Sequence, residues 1–418
     1  MTMTQDAGMA GRIVRRIGEL AAISASPDGL TRICFSDEHR RAAELILGWM
    51  GEAGLSARMD EIGNVVGRYE GGTPGLPCLM LGSHYDTVRN AGKWDGPLGV
   101  LTALECVADI ARRGLRLPFA LEVVGFADEE GVRFSSTLLG SRAIAGSFDE
   151  GALEARGDDG LSLREAMAAF GLSPDAIKKA ARRRGDILAY VELHIEQGPV
   201  LEAENLPAGV VTAISGASRF LITLDGMAGH AGTVPMRLRR DALAGAAECV
   251  LAIEKLCGGD PRLVGTVGQI AAEPGATNVI PGRVRFTADI RAADDSVRKK
   301  AVSAVIDAID ETASRRRLKA RIAKTHENGT ALCAPWLRAQ LGEAIAADGH
   351  RVLELPSGAG HDGMAMIDIT DIAMLFVRCR GGVSHHPDEH VPDEDVASGA
   401  RILLSFIENF RPQAKASL

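Results

Sequence analysis

The residues whose types and spacing suit chemistry begin at Gly82-Ser83-His84-Tyr85-Asp86, directly after a short apolar run, Leu79-Met80-Leu81. A turn-rich link, Arg89 to Trp94, leads on to Asp95-Gly96-Pro97. Neutral imidazole is a good ligand for divalent transition metals, and a carboxylate can hold one ion or bridge two. Asp86 lies one strand period beyond His84, where it can accept the other ring N–H and fix the tautomer. A core histidine beside an N-cap aspartate fits the same stretch equally well. Three further clusters repeat the pattern of acids and histidines after an apolar run. After Phe126 come Asp128-Glu129-Glu130, three carboxylates that repel one another unless a cation or solvent compensates. In Glu192-Leu193-His194-Ile195-Glu196, period two puts Glu192, His194 and Glu196 on one face, costly in a central strand without a metal or ion-pair partner. Near the C-terminus stands Ser384-His385-His386-Pro387-Asp388-Glu389. Taken singly, a solvated acidic turn or a surface loop explains each cluster. The four together point to a two-metal site.

The elements that must position these residues read as an α/β sheet. Leu79–Leu81, Phe119–Phe126, Ile187–His194 and Ile372–Val377 are nearly continuous apolar runs, as expected of strands buried on both faces. Val100, Leu104, Val107 and Ala108 recur at helical spacing after Asp95, with Pro97 suited to the first turn. Arg12 to Ala22 predicts a helix, and Ser36 caps a second one that carries Asp37 and Glu38 in its first turn. Strands alternating with helices indicate a mostly parallel sheet, whose ligands bind at the carboxyl ends of the strands. Between residues 216 and 327 the texture changes. Val284, Phe286, Ala288 and Ile290 alternate cleanly, which predicts a strand with one wet side. The order strand 219–224, helix 241–256, strand 263–272, strand 283–291, helix around 302–309, strand 320–324 matches a ferredoxin-like α+β unit. The expected organisation is a catalytic α/β domain from residues 1–215 and 328–418, with an inserted lid or dimerisation domain at 216–327.

Composition narrows the class. The chain has 418 residues, 46% of them hydrophobic and 24% charged, ordinary for a globular protein with two or three domains. A net charge of −8 argues against nucleic acid as a partner. Arg182-Arg183-Arg184 and Arg315-Arg316-Arg317 read as solvated faces. Seven widely spaced cysteines make no disulfide framework and suit a reducing cytosol. The N-terminus lacks a signal-peptide pattern and no window is apolar enough to span a membrane, so a cytoplasmic protein without membrane contact is expected.

Across nearly its whole length the chain resembles the dinuclear-metal aminoacylase and carboxypeptidase superfamily, in its hydantoinase/carbamoylase branch. The motifs that carry the resemblance are GSHYDTV at Gly82, GKWDGPLGV at Gly92, FADEEGVRF at Phe126 and HIEQGPVLE at His194. GHAGTVPM at Gly229, RRDA at Arg239, ATNVIPG at Ala276, DIR at Asp289, SGAGHDGM at Ser357 and SHHPDE at Ser384 continue it in order. The branch includes N-carbamoyl-L-amino acid hydrolases, beta-ureidopropionases and allantoate amidohydrolases. So many ordered motifs argue jointly for the metal reading, which no single one decides.

The resemblance implies two divalent metal ions per subunit, zinc first, with manganese, cobalt or nickel also suited to this donor set. His84 and His194 would hold one ion, Glu130 and His385 the other, with Asp95 bridging and Asp86 beside His84. Glu129 would be the general base that takes a proton from the metal-activated water. His230 would stabilise the oxyanion from across a homodimer interface, and Asn278 and Arg291 would grip a substrate carboxylate. Gln197 and the backbone at Gly360 would also contact substrate. The reaction implied is hydrolysis of the ureido C–N bond of allantoate or an N-carbamoyl-L-amino acid, with release of ammonia. An aminoacylase or dipeptidase of the same superfamily is the first alternative, and His194 in place of an aspartate argues against it. A catalytically silent ligand-binding member is the second, and the retained Glu129 argues against that. His386 stands where the family has a small polar residue, so His385 is chosen on register. Tyr85 and Trp94 are bulkier than the common family residues. His361 and Asp362 are expected to support a loop, Cys78 to be a packed thiol, and His39, His326, His350 and His390 to lie at the surface.

Overall fold

The computed structural model describes residues 3–413 of the chain. Two compact units emerge. The first takes the chain up to Thr212, then Cys333–Leu355 and everything from Ala359 onward; the second is Ala213–Leu332 with Pro356–Gly358.

The first unit is built on strands β1 (Ser56–Met59), β2 (Val65–Tyr69), β3 (Cys78–His84), β4 (Ala120–Phe126), β5 (Ile187–Ile195), β6 (Ala208–Ile214) and β7 (Ile372–Val377). Their order is β1-β2-β4-β3-β5-β7-β6. The four central strands are parallel: β3 pairs with β4 and β5, and β5 with β7. The outer pairings β1–β2, β2–β4 and β6–β7 are antiparallel, so the sheet is mixed. Every residue of β3, β4 and β7 is buried, which is what their unbroken apolar runs require. Register sets His84 opposite Phe126 and His194 opposite Phe376, so the four parallel strands end at one edge. That edge is where acids and histidines accumulate.

Helix Pro97–Arg112 packs on β3, β4 and β5 and against helices Met3–Ala21 and Asp393–Glu408. Leu98, Val100, Leu101, Leu104, Val107 and Ile110 on it are all essentially inaccessible. Burying each of these side chains contributes about 1.5–3 kcal/mol before entropy is counted. The helix therefore holds the turn before it, which carries Asp95, against the sheet. Helix Asp37–Glu52 starts where Ser36 accepts the His39 backbone N–H, as its sequence predicts. His39 itself is a correction. It is wholly buried, on one face with Ala43, Ile46 and Met50, and stacks on Tyr85 at 4.2 Å between centroids. Burial pulls its pKa to about 3, so the ring is neutral. His326, His350 and His390, also expected at the surface, are partly buried. Tyr85 and Trp94 are packed inside, and the Tyr85 hydroxyl donates to the Gly63 carbonyl. Cys78 is a buried thiol whose pKa is pushed up by burial.

The second unit is an antiparallel sheet in the order 270–273, 283–292, 216–225, 319–328, with Leu263–Thr266 beside 283–292. Helices Ala242–Gly258 and Asp295–Arg316 pack on it. Val284, Phe286, Ala288 and Ile290 face the helices' buried residues, while the alternate residues are more open. This is the ferredoxin-like arrangement. The expected strand 263–272 is broken in two. Thr266 pairs with Asp289 and Ile270 with Phe286, so four steps on one strand face three on the other, a bulge. Thr287 closes it by accepting the Gln269 N–H at its hydroxyl and donating its own N–H to the Gln269 carbonyl. Among the described residues no helix is long and apolar enough to cross a membrane.

Candidate metal centre

His84 is the last residue of β3, His194 lies one residue before the end of β5, and Glu129 and Glu130 follow β4. Asp95 sits in the turn before helix Pro97–Arg112, and His385 in the loop after β7. Gly96, at φ +82°, makes this approach possible, because a Cβ there would lie 2.5 Å from the His84 ring. Around Asp95 the groups converge from two sides. His194 Nε2 is 3.1 Å and His84 Nε2 3.7 Å from Oδ1. His385 Nε2 is 3.1 Å from Oδ2 and 3.5 Å from Glu130 Oε1. Ligand atoms of His84, Asp95 and His194 all lie within 4.8 Å of one another, as do those of Asp95, Glu130 and His385, and of His84, Glu129 and Glu130.

The hydrogen-bond network shows what such a cluster needs. His194 Nδ1 is 2.9 Å from the Ile195 carbonyl, and His84 Nδ1 is 3.1 Å from the Asp86 carbonyl. A carbonyl only accepts, so the network assigns the proton of each neutral ring to Nδ1. The Nε2 lone pairs are then turned toward the Asp95 carboxylate. His194 Nε2 makes no hydrogen bond, although it is buried. Lone pair against carboxylate in a dry site is repulsive unless positive charge lies between them. The same demand appears in the proton affinities. Burial opposes charge on His84 and His194, yet the neighbouring aspartates hold both rings above the ordinary value. The Asp95 hydrogen bond pushes His385 up to about 9. Burial raises Asp95 too, but the three imidazoles hold it well below the usual carboxylate range. Glu130 is pushed up to about 7 by burial and by Asp95, and Glu129 well above its ordinary value by burial and its acidic neighbours. Imidazole and carboxylate donors with a surplus of negative charge suit divalent transition cations.

Supporting groups surround the cluster. The nearest acceptor for the His84 ring is the Asp86 backbone oxygen, with Oδ1 farther away at 3.4 Å. The Asp86 carboxylate also accepts the backbone N–H groups of Glu129 and Glu130, pinning the turn that carries both. Glu196 leaves the cluster and accepts the N–H groups of Val200 and Leu201 at the start of a short helix. Gln197, at φ +55°, donates to Asp95 Oδ2 at 2.9 Å and to Ser384 at 3.1 Å. His385 also holds a left-handed backbone, φ +56°, and faces Asp95, whereas His386 points into the turn beside Asp388. His361 packs edge-on against His194 at 4.4 Å, with Asp362 buried next to it. A Cβ on Gly360 would lie 3.8 Å from Glu129 Oε1.

In the second unit His230 pairs in register with Val279, the residue after Asn278. The Ala231 N–H donates to the Asn278 carbonyl, so Asn278 flanks the two-stranded ladder that carries His230. Arg291 is held on three sides: Nε and Nη2 donate to Asp289, and Nη1 donates to the Gly358 carbonyl. One N–H remains on each terminal nitrogen, a pair suited to a carboxylate. A cavity of about 630 Å³ opens there, lined by Arg219, Thr266, Gln269, Thr287, Asp289 and Arg291.

The profile of peptidase family M20/M25/M40 matches residues 80–409. The chain belongs to this family. It is 43% identical to an N-carbamoyl-L-amino acid amidohydrolase of Geobacillus stearothermophilus, over 94% of this chain and 96% of that protein. It is 40% identical to an allantoate deiminase of Arabidopsis thaliana, over 95% of this chain and 81% of that one. The crystal structure of a hydantoinase/carbamoylase family amidase from Burkholderia multivorans superposes with a TM-score of 0.89 at 33% identity, covering 95% of this chain and 97% of the other. The resemblance to the hydantoinase/carbamoylase branch thus holds, and the chain is an amidohydrolase.

One residue of the family stretch at Ser384 carried no expected role. Glu389 is 4% exposed, and its Oε1 accepts the N–H groups of Trp94 at 2.8 Å and Asp95 at 3.1 Å. Its presence in the SHHPDE stretch was the available signal, and nothing in the sequence singled it out from Asp388.

Proposed function

We propose that this amidohydrolase cleaves the ureido C–N bond of allantoate or of an N-carbamoyl-L-amino acid, releasing ammonia, with two divalent ions per subunit. The observation that carries the reading is the convergence on Asp95: two histidines aimed at Oδ1, and His385 with Glu130 at Oδ2. His84 and His194 would hold one ion, His385 and Glu130 the other, and Asp95 would bridge them. Bound divalent ions, zinc by preference and manganese, cobalt or nickel as substitutes, lower the pKa of water and polarise the scissile carbonyl. Glu129 takes the proton of the attacking water and hands it to the leaving nitrogen. Its burial among carboxylates raises its proton affinity, which suits a group that must take a proton from water. Asp86 positions Glu129 by accepting its backbone N–H.

Arg291 binds the substrate carboxylate through the N–H pair that Asp289 and Gly358 leave open, with Asn278 as a second contact. His230 stabilises the developing oxyanion and acts on the partner protomer of a homodimer. Gln197 steadies Asp95 through its amide nitrogen and contacts substrate, while the Gly360 backbone borders the space in front of Glu129.

The test is ammonia release by chelator-stripped protein, with and without added zinc or manganese. The panel holds allantoate, several N-carbamoyl-L-amino acids, N-carbamoyl-beta-alanine and dipeptides. Metal-dependent turnover of a ureido substrate with inert dipeptides is expected. Cleavage of dipeptides instead, or a silent panel with metal bound, overturns the assignment.

A further inference from the structure

Ser384 directly precedes His385, and its hydroxyl lies between two carboxylates. Its Oγ is 3.2 Å from Asp95 Oδ2 and 3.0 Å from Glu389 Oε2. The Gln197 amide donates to the same Oγ, so the serine's own single proton goes to one carboxylate or the other. Glu389 meanwhile spends Oε1 on the N–H groups of Trp94 and Asp95. It thus holds the backbone of the Asp95 turn with one oxygen and the His385 loop with the other. The room for it is built in, because a Cβ on Gly92 would lie 2.2 Å from the Glu389 Cβ.

We propose that Glu389 is a positioning residue that draws the Ser384 proton away from Asp95, leaving Asp95 Oδ2, which already accepts the Gln197 N–H, a free lone pair for the ion held with His385 and Glu130. The inference rests on the metal reading above. A hydroxyl donating to Oδ2 places a partial positive charge where a cation must approach and spends a lone pair needed for ligation. Glu389 Oε2 is the nearer acceptor, at 3.0 Å against 3.2 Å, and Asp95 Oδ2 is already occupied on one side by the Gln197 N–H. Asp95 Oδ1, which faces His84 and His194, lies outside the reach of this exchange. One ion is therefore tuned by Glu389 and the other is not.

Glu389→Gln separates the idea from simple loss of a strut. The amide oxygen keeps the two backbone N–H bonds, while the amide nitrogen donates to Ser384 and forces the serine proton onto Asp95. The full chain, stripped of metal, is titrated with Zn²⁺ against a chromogenic chelator, and with Co²⁺ by its visible absorption. Thermal unfolding of the metal-free forms is read in parallel. The unmodified chain binds two ions; Glu389→Gln weakens one of them about 10- to 100-fold and leaves the other within about threefold, the range for partners of metal ligands. Adding Ser384→Ala to Glu389→Gln removes the misplaced proton and restores the weakened ion to within about threefold. Unchanged affinities in Glu389→Gln, equal weakening of both ions, or no recovery in the double variant overturns the proposal. Should Glu389→Gln fail to fold, Ser384→Ala alone decides. Its hydroxyl is already turned from Asp95, so both affinities stay within about threefold, and a tenfold loss of either overturns the proposal. Fewer than two ions on the unmodified chain ends the metal reading and this inference together; two ions with an unchanged Glu389→Gln ends this inference alone.

Discussion

The strand-end cluster of the first unit and the second unit treat ionisable residues in opposite ways. At the edge of the parallel sheet, Glu129, Glu130 and Asp95 are buried together, and burial drives the two glutamates above their ordinary pKa. On the antiparallel sheet and the helices that cover it, the carboxylates are paired with arginines. Asp225 sits 2.6 Å from both Arg283 and Arg321, Asp289 holds Arg219 and Arg291, and Glu248 holds Arg315 and Arg316. There all three carboxyls fall below the ordinary range. A sheet with one wet face lets each charge find a mobile opposite charge, whereas a strand end closed on both sides does not. The difference teaches where to look for chemistry: charge left unpaired by the protein itself marks the first unit's centre. Arg291 is the instructive exception in the second unit, paired on one edge and open on the other.

The comparison breaks most sharply at Glu129. If its carboxylate is the group left free to move a proton, Glu129→Gln lowers turnover by about 10³-fold or more, in line with removal of a general base. Bound metal, measured by elemental analysis, stays at the unmodified level. Retained turnover would put Glu129 among the merely buried acids. The second largest effect is expected at Arg291. Arg291→Ala raises KM for carboxylate substrates by about 10- to 100-fold, the loss of one charge-assisted pair of hydrogen bonds. Arg219→Ala, which removes the more exposed partner of Asp289, changes KM by less than about threefold, as for an exposed ion pair. Equal effects at the two arginines would mean that the pairing with Asp289 does not distinguish them.

Metal removal tests the unpaired charge directly. In the metal-free chain His385 is raised from 6.5 to about 9 by Asp95. A group whose folded pKa is raised contributes stability that is complete below its unfolded pKa and is lost as pH rises through the folded one. Metal-free protein therefore loses stability between about pH 6.5 and 9, by about 1 kcal/mol once the half-exposed side chain is discounted for screening. With metal bound, His385 has no proton to lose and this part of the pH dependence disappears. Denaturant unfolding at several pH values with and without zinc reads the difference.

How much of this was legible follows from what kind of interaction held each part. β3, β4 and β7 announce themselves because burial on both faces demands an unbroken apolar run. Strand 283–292 does so because one wet face demands alternation. His39 stands outside every motif and so reads as a surface residue, although 39, 43, 46 and 50 follow the helical period of the buried face. The histidines and acids around Asp95 were visible as clusters at strand ends. Their supports were not. Glu389 holds backbone N–H groups 294 and 295 positions away, and a bond to a backbone leaves no trace in the partner's side-chain type. Asp86 was legible as the neighbour of the His84 ring, 3.4 Å away, but its bonds to the amides of Glu129 and Glu130 were not, for the same reason. Side-chain periodicity reveals surfaces, whereas acceptors for distant backbone groups have no period.

The smallest predicted effect guards the comparison from the other side. Glu248 is flanked by Arg315 and Arg316, whose hydrogen bonds lower its pKa to about 2. A depressed carboxyl contributes stability that is present above its unfolded pKa and lost as pH falls toward the folded one. At neutral pH the contribution is complete, yet the group is open to solvent and both arginines remain hydrated, so Glu248→Ala costs only about 0.5 kcal/mol. Activity and bound metal should not move, and raising salt should shrink the stability difference further by screening. A loss of several kcal/mol, or one insensitive to salt, would mean that this pair is effectively desolvated. The contrast between paired charges at a wet face and unpaired charges at a closed strand end would then fail as a guide to the site.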